Sequence, residues 1–260
     1  MKLALYSDLH LELMRSGLWQ PPPLDVDVVV LAGDIGKHTH GIEWAMEAFR
    51  QVPVSPEILY IAGNHEYYDA HLGLLGELQK PRWGQLGVQF LERRVFEWPG
   101  VRILGCTLWS GFSLHGADKI DAYMSVARRS INDYWLIHAH NGKRLEPRDT
   151  LKLHRKAVRW LDTELAKPFD GRTVVVTHFA PHRGCVPAKF EGSELSPYFV
   201  TDLAWLMEKH RIAVWCFGHT HTNCDFVAEN GCRVVSNQRG YTSEYAAGDM
   251  GFRPDLVIEV

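Results

Sequence analysis

The residues best suited to chemistry in this chain are Gly218-His219-Thr220-His221. They follow the apolar run 212–217, which reads as a buried strand. Two histidines at i and i+2 of an extended chain point to one side, and imidazole is the commonest protein metal ligand. A lone His-x-His means little, but the construction repeats. Asp8-Leu9-His10 follows the apolar stretch 2–6, Gly33-Asp34 follows 26–32, Gly63-Asn64-His65-Glu66 follows 58–62, and Thr177-His178 follows 174–176. In α/β folds sites form at the carboxyl ends of strands. Nitrogen ligands with a few carboxylates and an amide oxygen suit Mn, Fe, Co or Zn, whereas calcium and magnesium prefer oxygen cages. The ligands are too many for one ion and suit two. Two ions about 3.5–4 Å apart clamp the attacking and leaving oxygens of an in-line displacement at phosphorus. Asp34, on a tight glycine turn, is suited to bridge them.

These blocks resemble the calcineurin-like metallophosphoesterase family, whose pattern is Asp-x-His, Gly-Asp, Gly-Asn-His-Asp/Glu, a lone His and Gly-His-x-His. All five occur here in that order over residues 8–221. The resemblance implies that Asp8, His10 and His221 bind one metal and that Asp34 bridges. It implies that Asn64, His178 and His219 bind the second, and that His65 faces substrate as a proton donor. It further implies a four-layer α/β/β/α sandwich of two mixed sheets, with the metal site at the C-terminal ends of strands. Two divalent ions (Mn, Fe, Co or Zn) are the implied cofactors.

Other residues leave alternatives open. Glu66 either orients His65 or begins the next helix, and His182 either meets substrate or is a loop residue. Arg239 follows a strand near the end of the chain and is read as a phosphate contact, because a guanidinium grips phosphate oxygens with a fork of donors; the alternative is a surface salt bridge. His38, His40, His71, His154 and His210 are given no role. Protein phosphatases of the family carry Gly-Asp-x-Val-Asp-Arg-Gly and Arg-Gly-Asn-His-Glu. Here the first block is Gly33-Asp34-Ile35-Gly36-Lys37 and Ala62 precedes Gly63, so both arginines are absent.

The elements that position these residues read as an α/β alternation. Further strands are expected at 101–104, 233–235 and 256–258. Ile42, Ala45, Met46, Phe49 and Val52 have helical spacing. A second helix is expected over 69–80, weakened by Gly73 and Gly76, and the clearest over 149–166. Ser196-Pro197 reads as a helix start whose buried side runs through Phe199, Leu203, Leu206, Met207 and His210. Residues 106–147 are rich in aromatics and histidines, and form either an insertion walling a cleft or an ordinary pair of helices. The whole chain, 1–260, reads as one domain.

With 260 residues, 46% hydrophobic and 23% charged, the composition is that of a globular protein. A net charge of −3 argues against nucleic acid and acidic membranes as partners. The basic stripe Lys152, Arg155, Lys156 and Arg159 is read as a solvated helix face. No run is long enough to span a bilayer. The five cysteines lack Cys-x-x-Cys and the N-terminus lacks signal-peptide features, so a cytoplasmic protein with reduced thiols is expected. The functional expectation is a hydrolase of small phosphodiesters or phosphomonoesters such as nucleotides, by in-line attack of a metal-bridging hydroxide. The alternatives are a nuclease of the same fold and a non-catalytic binding scaffold. Diesters are expected to be favoured, because Arg239 is the only extra cation at hand for a doubly charged monoester. Trp109, Phe112 and Tyr134 are read as a wall for the second ester group.

Overall fold

The computed structural model describes residues 1–15, 17–50, 55–248 and 251–260. Eleven strands are present among them: β1 (Lys2–Tyr6), β2 (Val28–Ala32), β3 (Glu57–Ile61), β4 (Val88–Phe90), β5 (Arg94–Trp98), β6 (Val101–Cys106), β7 (Arg172–Thr177), β8 (Val214–Phe217), β9 (Asp225–Val227), β10 (Arg233–Ser236) and β11 (Val257–Glu259). They form two sheets, ordered β11-β1-β2-β3-β4 and β5-β6-β7-β8-β10-β9. The inner strands of each sheet run parallel; antiparallel strands close both edges of the second sheet and the β11 edge of the first, whose other edge strand, β4, is parallel, so both sheets are mixed.

The layering follows from the period of two along a strand. Leu3, Leu5, Val28, Val30 and Leu59 of the first sheet share one core with Ile103, Val174, Val176, Cys216 and Val235 of the second. The residues between them, such as Ala4, Tyr6, Val29, Val175 and Trp215, turn to the outer faces and pack with helical Ile42, Ala45, Leu161 and Leu206. Helix, sheet, sheet and helix therefore form the four layers that the motif order implied. Each fully buried valine or leucine contributes about 1.5–3 kcal/mol relative to exposure. Continuous apolar runs such as 28–32 arise because both faces of the sheet are covered.

Several elements differ from the sequence reading. Residues 69–80 do not form one helix: Leu72–Leu74 is a 3-10 turn and Leu75–Leu78 a single helical turn. The helix expected after Ser196 stops at Phe199 and restarts at Ala204. Between them the backbone pairs with residues 180–181, as Thr201 N donates to Ala180 O and Leu203 N to Pro181 O. Strands β4, β5 and β9 were not anticipated; they are short or half-exposed. The first helix is His40–Ala48, and Val52 lies outside the described residues. The longest helix, Pro147–Leu165, starts two residues early because proline suits the first helical position. Its basic residues are exposed, as read from the sequence. Among the described residues no helix is long and apolar enough to cross a membrane.

His154 lies on the buried side of that helix, and its Nδ1 faces the carbonyls of Leu108 and Trp109. Burial pushes its pKa down to about 4, against the pull of those carbonyls. Well above the ordinary histidine pKa of about 6.5 the ring is neutral in native and unfolded chains alike. As pH falls below that value the unfolded chain takes up the proton first, so stability is lost on acidification. Going from pH 7.5 to pH 5 should remove about 2 kcal/mol through this residue. His154→Gln should lose that much less over the same interval in urea unfolding. Equal losses in the two proteins would assign the acid sensitivity to other groups.

Candidate metal centre

The strands that carry the motifs end at one edge of the sandwich, where loops from the two sheets interlock. Ser7 N donates to Asn237 O at 3.2 Å, Arg239 N to Ser7 O at 3.1 Å, Asp8 N to Gly33 O at 3.0 Å and Gly218 N to His178 O at 2.9 Å. A Cβ on Gly33, whose φ is +88°, would lie 2.6 Å from Gly63 N, so only glycine lets β2 and β3 finish this close together.

The backbone itself departs from the sequence reading. The expected extended backbone would put His219 and His221 on one side, yet their φ values are 74° and 47°. Asp8 (53°), His10 (48°) and Asp34 (55°) are left-handed as well. This region costs an L-residue roughly 1–2 kcal/mol. Because the turn is coiled, the two histidines part company: His219 joins Asp34 and His178, and His221 joins Asp8 and His10. The ligand atoms within each trio lie within 4.8 Å of one another, and Asp34 also groups with His10 and His65. Asp34 thus stands between the two trios.

What faces what in these trios points to cations. His178 Nδ1 lies 2.9 Å from Ala32 O and must donate to it. In the neutral ring Nε2 then carries a lone pair, but it faces Asn64 Oδ1 at 3.1 Å and Asp34 Oδ1 at 3.4 Å, both acceptors. The Asn64 amide is oriented by Asp133, which accepts from Nδ2 at 2.9 Å. His221 Nδ1 donates to Glu244 Oε2 at 2.7 Å, which leaves Nε2 aimed at His10 Nε2, 3.0 Å away. His10 Nδ1 in turn faces Glu12 Oε1 at 3.4 Å. His219 Nε2 is buried with no hydrogen-bond partner, and burial, reinforced by nearby His178, holds that ring well below its ordinary pKa. Lone pairs that converge without donors repel unless a proton or a metal cation sits among them. The set of imidazole nitrogens, carboxylates and one amide oxygen therefore fits divalent metal.

Second partners fix these groups, and most were missed in the sequence. Glu66 neither orients His65 nor serves only to start a helix. It is fully buried and accepts from Asp34 N (3.0 Å), Ile35 N (3.0 Å), Gly63 N (2.7 Å) and the Tyr60 hydroxyl (2.8 Å). Burial, with Asp34 adding to it, pushes its pKa up to about 7. Glu12 Oε1 lies 2.9 Å from His65 Nδ1. Burial works against its charge, but the hydrogen bonds from His10 and His65 hold it down to about 2. Asp133 also accepts from the hydroxyls of Tyr68 and Tyr198. Gln238 Oε1 accepts from His221 N at 2.7 Å. Glu12 continues the i, i+2 series Asp8, His10 and was within reach of pattern reading; Asp133 and Glu244 gave no such signal.

Above the ligands lies a cavity of about 370 Å³. Its floor includes Asp34, Asn64, His65, His219 and His221; one wall is the turn Ser130–Asp133, and the facing wall comes from residues 186–200. Segment 106–147 therefore contributes both helices (Ile120–Ser130, Asp133–Leu136) and a piece of wall. Its aromatics do not line the cavity. Trp109, Phe112 and Tyr134 are buried, with Trp109 packed against Tyr67 and Phe179 and the other two against Tyr198. His182 is also absent from the lining; its Nδ1 accepts from Gly184 N. Arg239 is neither a lining residue nor part of a salt bridge among the described residues. It is buried, with its guanidinium 4.5 Å above the Tyr245 ring. Its backbone N donates to Ser7 O at 3.1 Å, next to Asp8, and its Nε and Nη1 are buried without a hydrogen-bond partner among the described residues.

The family model for calcineurin-like phosphoesterases matches residues 1–223. The chain belongs to that family. This phosphoesterase is 27% identical to an uncharacterised protein, L509, of Acanthamoeba polyphaga mimivirus, over 93% of this chain and 92% of the relative. Among solved structures it is similar to the phosphopantetheinyl hydrolase PptH from Mycobacterium tuberculosis, with TM-score 0.73 and 19% identity over 95% of this chain and 92% of that one. It is also similar to a dimetal phosphatase from Danio rerio, with TM-score 0.55 and 14% identity over 92% and 87%. The phosphoesterase is thus a metal-dependent hydrolase of phosphoric esters, built on the fold these structures share.

The role of Glu66 can be tested by stability alone. Glu66→Ala strips an acceptor from four buried donors, each costing about 1–3 kcal/mol when unpaired. Chemical denaturation should register a loss above about 3 kcal/mol, whereas Tyr60→Phe, which removes one donor, should cost about 1 kcal/mol. Similar small losses in both variants would show that the three backbone amides do not depend on this carboxylate.

Proposed function

We propose that the phosphoesterase holds two divalent cations, one among Asp8, His10 and His221 and one among Asn64, His178 and His219, with Asp34 shared. The observation that carries this reading is the convergence of lone pairs, without donors, on two neighbouring points beneath an open cavity. When bound, such ions supply Lewis acidity at a phosphoryl oxygen and an acidified water as nucleophile. The chain's own residues do the rest. Asp34 and Asp8 fix the ligand geometry through left-handed turns that cannot relax while Glu66 and His219 N hold them. His65 is the proton donor to the leaving oxygen. In the imidazolium form its Nδ1 donates to Glu12 and the second proton, on Nε2, is directed into the centre, with Nε2 3.9 Å from Asp34 Oδ2. Glu12 acts through His65 as a positioning residue.

The substrate on this reading is a small phosphoester, with diesters accepted at least as readily as monoesters. A nuclease would need a cationic groove. Among the described residues the cavity lining contains no lysine or arginine, and the basic stripe of the helix Pro147–Leu165 is not part of it.

Two measurements test the metal and acid roles. Asp34→Asn should lower the bound metal well below two ions per chain by elemental analysis, and chelation should lower the melting temperature of the wild type. Full occupancy in the variant would remove the bridging role. For the acid, His65→Ala should cost about 10²–10⁴-fold on an alkoxide leaving group and little on nitrophenolate, which needs no proton. Glu12→Gln should show the same discrimination in weaker form, and add nothing when combined with His65→Ala. Equal losses on both leaving groups would take His65 out of the acid role.

A further inference from the structure

The cavity has two chemically distinct halves. Its floor is the metal centre, and every ionic side chain in the lining apart from the histidines is a carboxylate: Asp34, Asp133 and Glu244. Among the described residues no lysine or arginine lines it. The half beyond the floor is apolar: Ile131 on one side faces Val186, Pro187, Phe190, Leu195 and Phe199 on the other. The two halves are continuous, because the Phe199 ring packs on ligand His219 with centroids 5.0 Å apart. Phe190 stands at the mouth, 48% exposed. A large ring left that open beside a deep polar centre is poised to gain burial from a bound group.

From this we propose that the site selects phosphodiesters whose second ester group is an uncharged, apolar chain or ring, seated between Ile131 and the segment Val186–Phe199. The inference rests on the hydrolase reading above and adds the substrate class. Charge complementarity decides it. A single phosphodiester charge can be met at the metal centre, whereas further anionic groups within the cavity, as in a nucleoside polyphosphate or a nucleic-acid strand, would lie against carboxylates and hydrocarbon; Lys189, whose Nζ is 5.1 Å from the Phe190 ring centroid, is not among the lining residues. An apolar arm instead removes the exposed faces of Phe190, Leu195 and Val186 from water, and a buried methylene is worth about fourfold in affinity.

The test is a series of 4-nitrophenyl phosphodiesters with methyl, butyl and hexyl second ester groups, assayed with Mn²⁺ at one pH. Because the leaving group is constant, differences report the arm. kcat/KM should rise at least tenfold from methyl to butyl. An arm of equal length ending in a carboxylate should lose at least tenfold against the alkyl one. Phe190→Ala and Leu195→Ala should each reduce the butyl-to-methyl ratio by about threefold or more. Phe190 is exposed enough that its variant does not threaten folding. In a readout free of turnover, dibutyl phosphate should raise the melting temperature of the metal-loaded protein more than dimethyl phosphate does. Turnover with a butyl-to-methyl ratio below two, or preference for the carboxylate-ended arm, would overturn the apolar-arm proposal and leave the hydrolase reading standing. No turnover of any ester would remove both.

Discussion

Everything at the site edge depends on one electrostatic constraint: acceptor atoms are packed against acceptor atoms. His10 and His221 turn the same nitrogen toward each other, and His178 faces a carboxylate and an amide oxygen. Left alone, such an arrangement would open, since unpaired buried acceptors cost free energy and repel their neighbours. Its persistence requires two things, a cation to share the lone pairs and a scaffold that prevents the side chains from rotating away. The scaffold is a ring of second partners whose only visible task is orientation: Ala32 O, Asp133, Glu12 and Glu244.

The scaffold extends into the backbone. Five ligand positions are left-handed, a conformation that asparagine or glycine would adopt at lower cost, yet aspartate and histidine are required for their chemistry. The strain is held by hydrogen bonds that use the ligand loops' own amides. Asp8 accepts from His219 N, Asp34 from His65 N, and Glu66 gathers the amides of Asp34, Ile35 and Gly63. Ligands in one loop thereby cap the backbone of the next, so the metal centre and the interlock of the two sheets are one structure.

The difference between what the sequence disclosed and what it hid has a physical origin. The candidate ligands stand out in the sequence because each lies within a few residues of an apolar run that ends in a turn, and the sandwich was legible from the same runs. Their partners were not, because the relation is spatial. Asp133 is 69 positions from Asn64 and lies in a segment without clear periodicity. Glu244 reaches His221 from a short helix 23 positions away. Arg239 has the right chemistry and follows a strand end, but that its guanidinium stacks on Tyr245 is again a spatial relation. The aromatics of 106–147 were noticed for their number, yet number does not distinguish a cavity wall from the packing layer beneath it. The i, i+2 histidine argument failed because it assumed extended backbone where φ is positive.

The pairing of β1 with β11 also bears on how the molecule is made. Leu3 opposes Ile258, so the strand that leads into Asp8 keeps one open edge until residue 258 has been made. The parallel strands β1 to β3 can assemble before that, exposing an apolar, unpaired edge in the meantime. Pairing over such a separation is slow compared with local structure. A growing chain would therefore pass through a stage in which one half of its metal centre is carried by a strand still open to pairing with another molecule.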